Sequence, residues 1–235
     1  MQDRDMLGNA GVARKASKSI PAERLSFIRK VYTLFFAGLM VACGGVYLSF
    51  SNPRIFAAQG ARFGLLFATI GLVLVLGFSK QARRVQPWNY FLLFGITFLM
   101  GLTIGPWVFM VNAVGKSAVL LQAFIMTAGV FGGLTAYAFI SRKDFSFLRG
   151  FVTVGLIGLI LATLVYMFIP GATGLGFVIA CVGVLVFAAF TLYDTSQIMQ
   201  RYDTSEYVAG ALSLFLDFFN LFLYIAQLFL GSSRD

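Results

Sequence analysis

The sequence predicts an all-α integral membrane protein with seven transmembrane helices, and three observations carry that reading. Of its 235 residues 59% are hydrophobic and only 11% charged, with a mean hydropathy of +0.87. That is too little charge to cover the surface of a soluble domain. The apolar residues come in uncharged blocks of about 17–25 residues, which at about 1.5 Å per residue cross a hydrocarbon core of roughly 30 Å. The Lys and Arg residues, which leave a net charge of +9, sit in short segments between those blocks, as topology signals do. They form no basic groove, so no nucleic-acid partner is expected.

Residues 1–30 read as a cytoplasmic tail. Seven Lys and Arg lie there, Gly8, Gly11 and Pro21 interrupt any long helix, and Glu23 to Lys30 form a short amphipathic lead-in. Residues 31–230 form the transmembrane domain, and 231–235 a short external tail. The first span, Val31–Phe50, runs uncharged from Lys30 toward Arg54. The second, Arg62–Ser79, ends where Lys80, Arg83 and Arg84 begin. The third, Trp88–Val111, opens on an interfacial tryptophan after Pro87, and the fourth, Ser117–Ile140, is framed by Lys116 and Arg142. Gly150 to Tyr193 is a single uncharged stretch of about 44 residues, twice what one crossing needs. Pro170-Gly171 with Gly174 supplies a turn that divides it into Gly150–Ile169 and Gly174–Tyr193; without that turn there would be six spans. The last span is Tyr207–Leu230.

Orientation follows from where the positive charge falls. The tail and the loops after spans two, four and six hold fourteen of the eighteen Lys and Arg residues. The amino terminus is therefore expected in the cytoplasm and the carboxyl terminus outside. Short loops throughout leave no extramembrane domain. Gly101–Gly105 and Gly129–Gly133 have the small-xxx-small spacing that lets membrane helices approach closely, and both pairs are expected to pack helices within one bundle. Gly115-Lys116-Ser117 looks like the end of a P-loop, but Met110 stands where the first glycine must be, so it is a loop.

Several chemistries are excluded. No histidine occurs anywhere, which removes histidine metal sites, Ser-His triads and histidine proton relays. The two cysteines, Cys43 and Cys181, lie in separate apolar runs, so neither a disulfide scaffold nor a CxxC metal site is expected. No cofactor and no enzyme activity are expected.

Seven of the nine acidic residues fall in tails or loops; Asp194 and Asp217 do not. A carboxylate inside a bilayer costs at least a few kcal/mol, and such residues face a bundle interior or a water-filled path. Asp217 lies about ten residues into the last span, near the membrane middle. At about 100° per residue, Ser213, Asn220 and Tyr224 fall about 40°, 60° and 20° to one side of it. Leu212, Phe215, Phe218, Phe219 and Phe222 cover most of the rest. A helix with one thin polar seam belongs at the centre of a bundle, its seam lining a cavity or tying helices together. Asp194 lies at the cytoplasmic end of span six, next to Tyr193, on the antiparallel neighbour. Asp203 and Glu206 have capping-box spacing. Counting residues leaves the two aspartates roughly 10 Å apart in depth, so contact needs tilt or an irregular turn.

Two carboxyls in contact share a proton and titrate as a pair. Singly protonated, the pair latches one end of a pore; fully ionised, it repels and attracts a divalent cation. With Asn220, Tyr193 and carbonyls it offers Ca²⁺ fewer than its usual six to eight oxygens, hence a weak, transient metal site at Asp194 and Asp217. An aspartyl-protease reading fails because Leu214-Phe215-Leu216 stands where a flexible Gly-x-Gly would be needed.

Tyr193-Asp194-Thr195-Ser196-Gln197-Ile198, followed by the run from Ala211 to Phe222 around Asp217 and Asn220, resembles the signature of the Bax inhibitor family. Three more blocks agree: Arg29-Lys30-Val31-Tyr32, Gly101 to Pro106, and Arg142 to Leu148. The resemblance covers the chain from about residue 24 onward. It implies seven helices with the last one central, and a pH-sensitive calcium leak governed by Asp194 and Asp217. It also implies an arginine after span two, Arg83 or Arg84, able to pair with one aspartate. Bacterial relatives without the full pair are similar to a modulator of an FtsH-type membrane protease. The alternative expectation is therefore a regulator that binds a membrane-protease complex without conducting ions. The expected setting is a bacterial inner membrane.

Overall fold

A computed structural model describes residues 21–169 and 173–232. Most of the basic tail, the turn expected at Pro170-Gly171 and the last three residues lie outside the described residues. Nine α-helices occur among those described: α1 (Pro21–Ser51), α2 (Pro53–Ala57), α3 (Gln59–Phe78), α4 (Lys80–Arg84), α5 (Trp88–Ala113), α6 (Ser117–Ser141), α7 (Arg149–Met167), α8 (Thr173–Gln200) and α9 (Tyr207–Ser232). All but α2 and α4 are long and apolar enough to cross a membrane, so the seven-span reading holds.

Two helices are longer than their apolar runs. The lead-in is not separate: α1 is continuous from Pro21, with Pro at a helix start, where its missing N–H is harmless. At the other end of the chain, α8 continues for seven residues beyond Tyr193. Asp194 is therefore inside a helix rather than at its end. Polar residues such as Thr195, Ser196 and Gln197 satisfy their backbones in a helix as well outside a bilayer as within it, so loss of hydropathy does not mark the helix end.

Helix α9 is central. It packs against α1, α5, α6 and α8 and is the most buried of the seven spans. Leu214, Phe215, Leu221, Val208, Ala211 and Ala226 on it have no exposed surface. Phe35 of α1 stacks on Phe131 of α6 at 5.2 Å, and Phe218 of α9 meets Phe131 edge-on at 5.4 Å, which locks three helices through preferred aromatic geometries. By contrast α3 meets the bundle chiefly through α5 and is the least buried span.

The closest helix pair is α1 with α5, and glycine makes it so. A Cβ placed on Gly101 would lie 2.1 Å from the Ala42 carbonyl oxygen, and one on Gly45 would lie 2.4 Å from that of Phe98. The Gly101–Gly105 pair thus packs helices within the bundle. Gly129–Gly133 does not, which corrects the expectation for that pair: a Cβ at either position meets nothing within 4 Å. The difference is the face of α6 on which these glycines fall, which the spacing alone does not reveal. Gly115 sits at φ +74° in the α5–α6 turn, a left-handed conformation suited to glycine.

The loops after α4, α6 and α8 meet at one end of the bundle, here the basic end. Arg201 reaches across to Asp144 at 2.8 Å and Ser146 Oγ at 3.0 Å. Ser196 Oγ accepts the Phe145 N–H at 3.0 Å, and Gln200 Nε2 donates to the Lys143 carbonyl at 2.9 Å. The last turns of α8 therefore hold the 142–148 segment in place.

Candidate functional site

Helix α8 runs six residues beyond Asp194 before it ends, and α9 runs ten residues before Asp217. With antiparallel neighbours the difference in depth is about 6 Å rather than 10 Å, which modest tilt removes. The two carboxyls come within hydrogen-bonding reach of each other. Asp217 is 3% exposed and Asp194 half-buried. Apart from Asp194, Asp217 Oδ2 has no hydrogen-bond partner among the described residues. A carboxyl–carboxyl hydrogen bond needs one proton between the two groups, since an ionised carboxylate only accepts.

The seam around Asp217 divides at the aspartates. Toward the basic end, Ser213 Oγ lies 3.2 Å from the Tyr202 hydroxyl and 3.2 Å from the Ala209 carbonyl oxygen. Toward the far end, Asn220 Nδ2 donates to Leu216 O at 2.8 Å. Asn220, Tyr224 and Gln227 then line an open cavity of about 820 Å³, which Trp107, Thr163 and Tyr166 also line. This space reaches within one helical turn of Asp217. The ring of Tyr224 lies over Gly183, where a Cβ would come within 2.5 Å of it, and stacks on Phe187 at 5.8 Å.

Other expected residues stand elsewhere. Tyr193 is half-buried on α8; as the immediate neighbour of Asp194 it faces about 100° away. Arg83 and Arg84, implied partners of the aspartates, are engaged with the α8–α9 loop instead. Arg84 lies 3.1 Å from Asp203 and 3.7 Å from Glu206, and Arg83 lies 3.9 Å from Glu206 while its Nε donates to the Leu76 carbonyl at 2.9 Å. The physical reason is solvation: carboxylates at the membrane surface meet these guanidinium groups without drawing them into the bundle. Asp203 and Glu206 form no capping box, because α9 starts only at Tyr207. The Gly210 N–H bonds to the Glu206 carbonyl, so Glu206 precedes the helix.

Over residues 24–235 the chain matches the family described as "Inhibitor of apoptosis-promoting Bax1". The chain belongs to the Bax inhibitor family. It is 36% identical over 226 residues to Bax inhibitor 1 of Schizosaccharomyces pombe, covering 95% of this chain and 82% of the relative. To protein lifeguard 4 of Mus musculus it is 34% identical over 206 residues, 87% and 84% of the two chains. An uncharacterized protein of Pseudomonas aeruginosa is 33% identical over 235 residues, 97% of each.

Four residues of this Bax inhibitor family chain escape a reading of the sequence. Gln227 extends the polar seam by one turn, about 80° from Asp217, and a longer helical wheel would have found it. Gly183 is invisible without the ring it supports. Tyr207, which starts α9, bonds Gln86 and lies 3.0 Å from the Tyr90 hydroxyl, with Lys30 Nζ 5.4 Å above its ring. Tyr202 sits in a loop where no periodicity operates. Burial pushes its phenol pKa well up, and the negative charge of Asp194 adds to the shift.

Proposed function

We propose that this Bax inhibitor family protein is a pH-sensitive leak for calcium or another cation, switched by the proton that Asp194 and Asp217 share. The supporting observation is the meeting of these two carboxyls on α8 and α9, with the 820 Å³ cavity one turn away. With one proton the pair ties α8 to α9 and the path is closed. With none, two carboxylates repel in a poorly solvated place and the helices part. The paired charge then gives a divalent cation a transient stop, since two carboxylates with Asn220 fall short of a calcium cage. In this reading the basic end faces the cytoplasm of a bacterial inner membrane.

The test uses purified protein in liposomes loaded with a calcium-sensitive dye, with pH stepped between 6 and 8. Flux is expected to rise toward pH 8. Asp217→Asn is expected to lose that dependence, because an amide donates to Asp194 without needing a proton; Asp194→Asn is expected to do the same. No flux above empty liposomes across this range sinks the leak, and capture of a membrane-protease complex by the same protein would then favour the regulatory role.

A further inference from the structure

The far-end cavity lined by Asn220 stops about one helical turn from Asp217, and Ser213 and Tyr202 stand on the other side of the pair. Ser213 lies four residues before Asp217 on the same seam of α9, about 6 Å nearer the basic end. Beyond α8, the N–H groups of Arg201 and Tyr202 both donate to the Gln197 carbonyl, at 2.7 and 2.9 Å. This tight closure turns the chain back, and the Tyr202 side chain packs against the core rather than trailing into water. Its hydroxyl meets Ser213 Oγ at 3.2 Å. Asp194, Arg83 and Glu206 all lie near enough to the phenol to act on its charge. Tyr202 thus joins Ser213, on the seam that carries Asp217, to the loop whose Asp203 and Glu206 pair with Arg84 and Arg83.

We infer that Tyr202 is the inner seal of the aspartate site: its ring, pinned by Ser213, bars water and cations from reaching Asp194 and Asp217 from the basic end. A tyrosine suits the task because its apolar body excludes water while its hydroxyl bonds Ser213 Oγ on the seam. Ser213 is then a positioning residue for the ring. The flanking ion pairs hold the loop that carries Tyr202, at a surface where such pairs contribute only modestly. The inference extends the leak reading but its core, one-sided access, can be measured without any flux.

The full chain is placed in right-side-out and inverted membrane vesicles and treated with a membrane-impermeant, water-soluble carbodiimide plus taurine. Amide formation at Asp194 and Asp217 is read by mass spectrometry. Tyr202→Ala is expected to raise modification from the basic face by at least about tenfold and leave modification from the far face unchanged. Tyr202→Phe and Ser213→Ala, which keep the ring but lose its bond, are expected to raise it about threefold, the size of one modest hydrogen bond. A rise from both faces would mean general loosening and overturns the seal. Unchanged basic-face modification in Tyr202→Ala overturns it as well, and should that variant fail to fold, an unchanged value in Ser213→Ala does so. If labelling changes as expected while no protein conducts calcium, the seal stands and the leak falls.

Discussion

Adding one methyl group to α5 at Gly101 tests how the bundle is held. Its Cβ would lie 2.1 Å from the Ala42 carbonyl oxygen and 2.9 Å from the carbonyl carbon, against an ordinary contact limit of 3.4 Å. Helix α1 must therefore recede by about 1.3 Å, since neither backbone atom can rotate away. A gap of 0.5–1 Å already forfeits about a quarter to a half of each dispersion contact along the interface. Overpacking costs about 1–3 kcal/mol, and a backbone obstacle in the closest helix pair places Gly101→Ala near about 3 kcal/mol, roughly two orders of magnitude in the folded-to-unfolded ratio. Gly129→Ala, with nothing within 4 Å of the new atom, is the matched control and stays within about 0.5 kcal/mol of wild type. Both tryptophans, Trp88 and Trp107, lie on α5. Their fluorescence during denaturant titration in mixed micelles reports this helix directly. Equal midpoints for the two variants would refute the account of α1–α5 packing.

The basic end offers two further tests. Ser196→Ala leaves the Phe145 N–H without its acceptor, at a cost of about 1–2 kcal/mol; amide exchange at Phe145 should quicken about tenfold or more while exchange in α9 is unchanged. Arg201, aided by Ser146, holds the Asp144 carboxyl below its usual range. A depressed folded-state pKa means that its contribution is present above about pH 4 and fades as pH falls through the lower value. Order in the 142–148 segment, followed by amide exchange, should decline below pH 4 in wild type and be pH-independent there in Asp144→Asn.

Hydropathy made the seven spans legible, because a bilayer imposes one simple demand on every crossing helix. It was silent where that demand ends. The seven residues of α8 beyond Tyr193 are helical though mostly polar, and that extension narrows the depth between Asp194 and Asp217 to what modest tilt removes. The seam on α9 could be read from the 100° rule, since Asp217 stands out against phenylalanine and leucine. Tyr202, held by one carbonyl at the end of α8, and Gly183, defined by the ring above it, depend on tertiary neighbours that no local pattern encodes. Arg83 and Arg84 meet Asp203 and Glu206 in this structure, in a loop where neither hydropathy nor helical periodicity gives a register.

The partnership of α1 with α5 also bears on how the chain is made. The first span finds its main partner not in the next span but in the third, and about 36 residues separate Ser51 from Trp88. At about 5–20 residues per second the first span waits in lipid for seconds with its small-residue face uncovered. Ser49 is suited to that wait: its hydroxyl bonds the Gly45 and Val46 carbonyls of its own helix, at 3.0 and 3.2 Å. The face that later admits Gly101 and Gly105 carries no unmet polar group into the bilayer, so the nascent helix can sit alone until its partner is inserted.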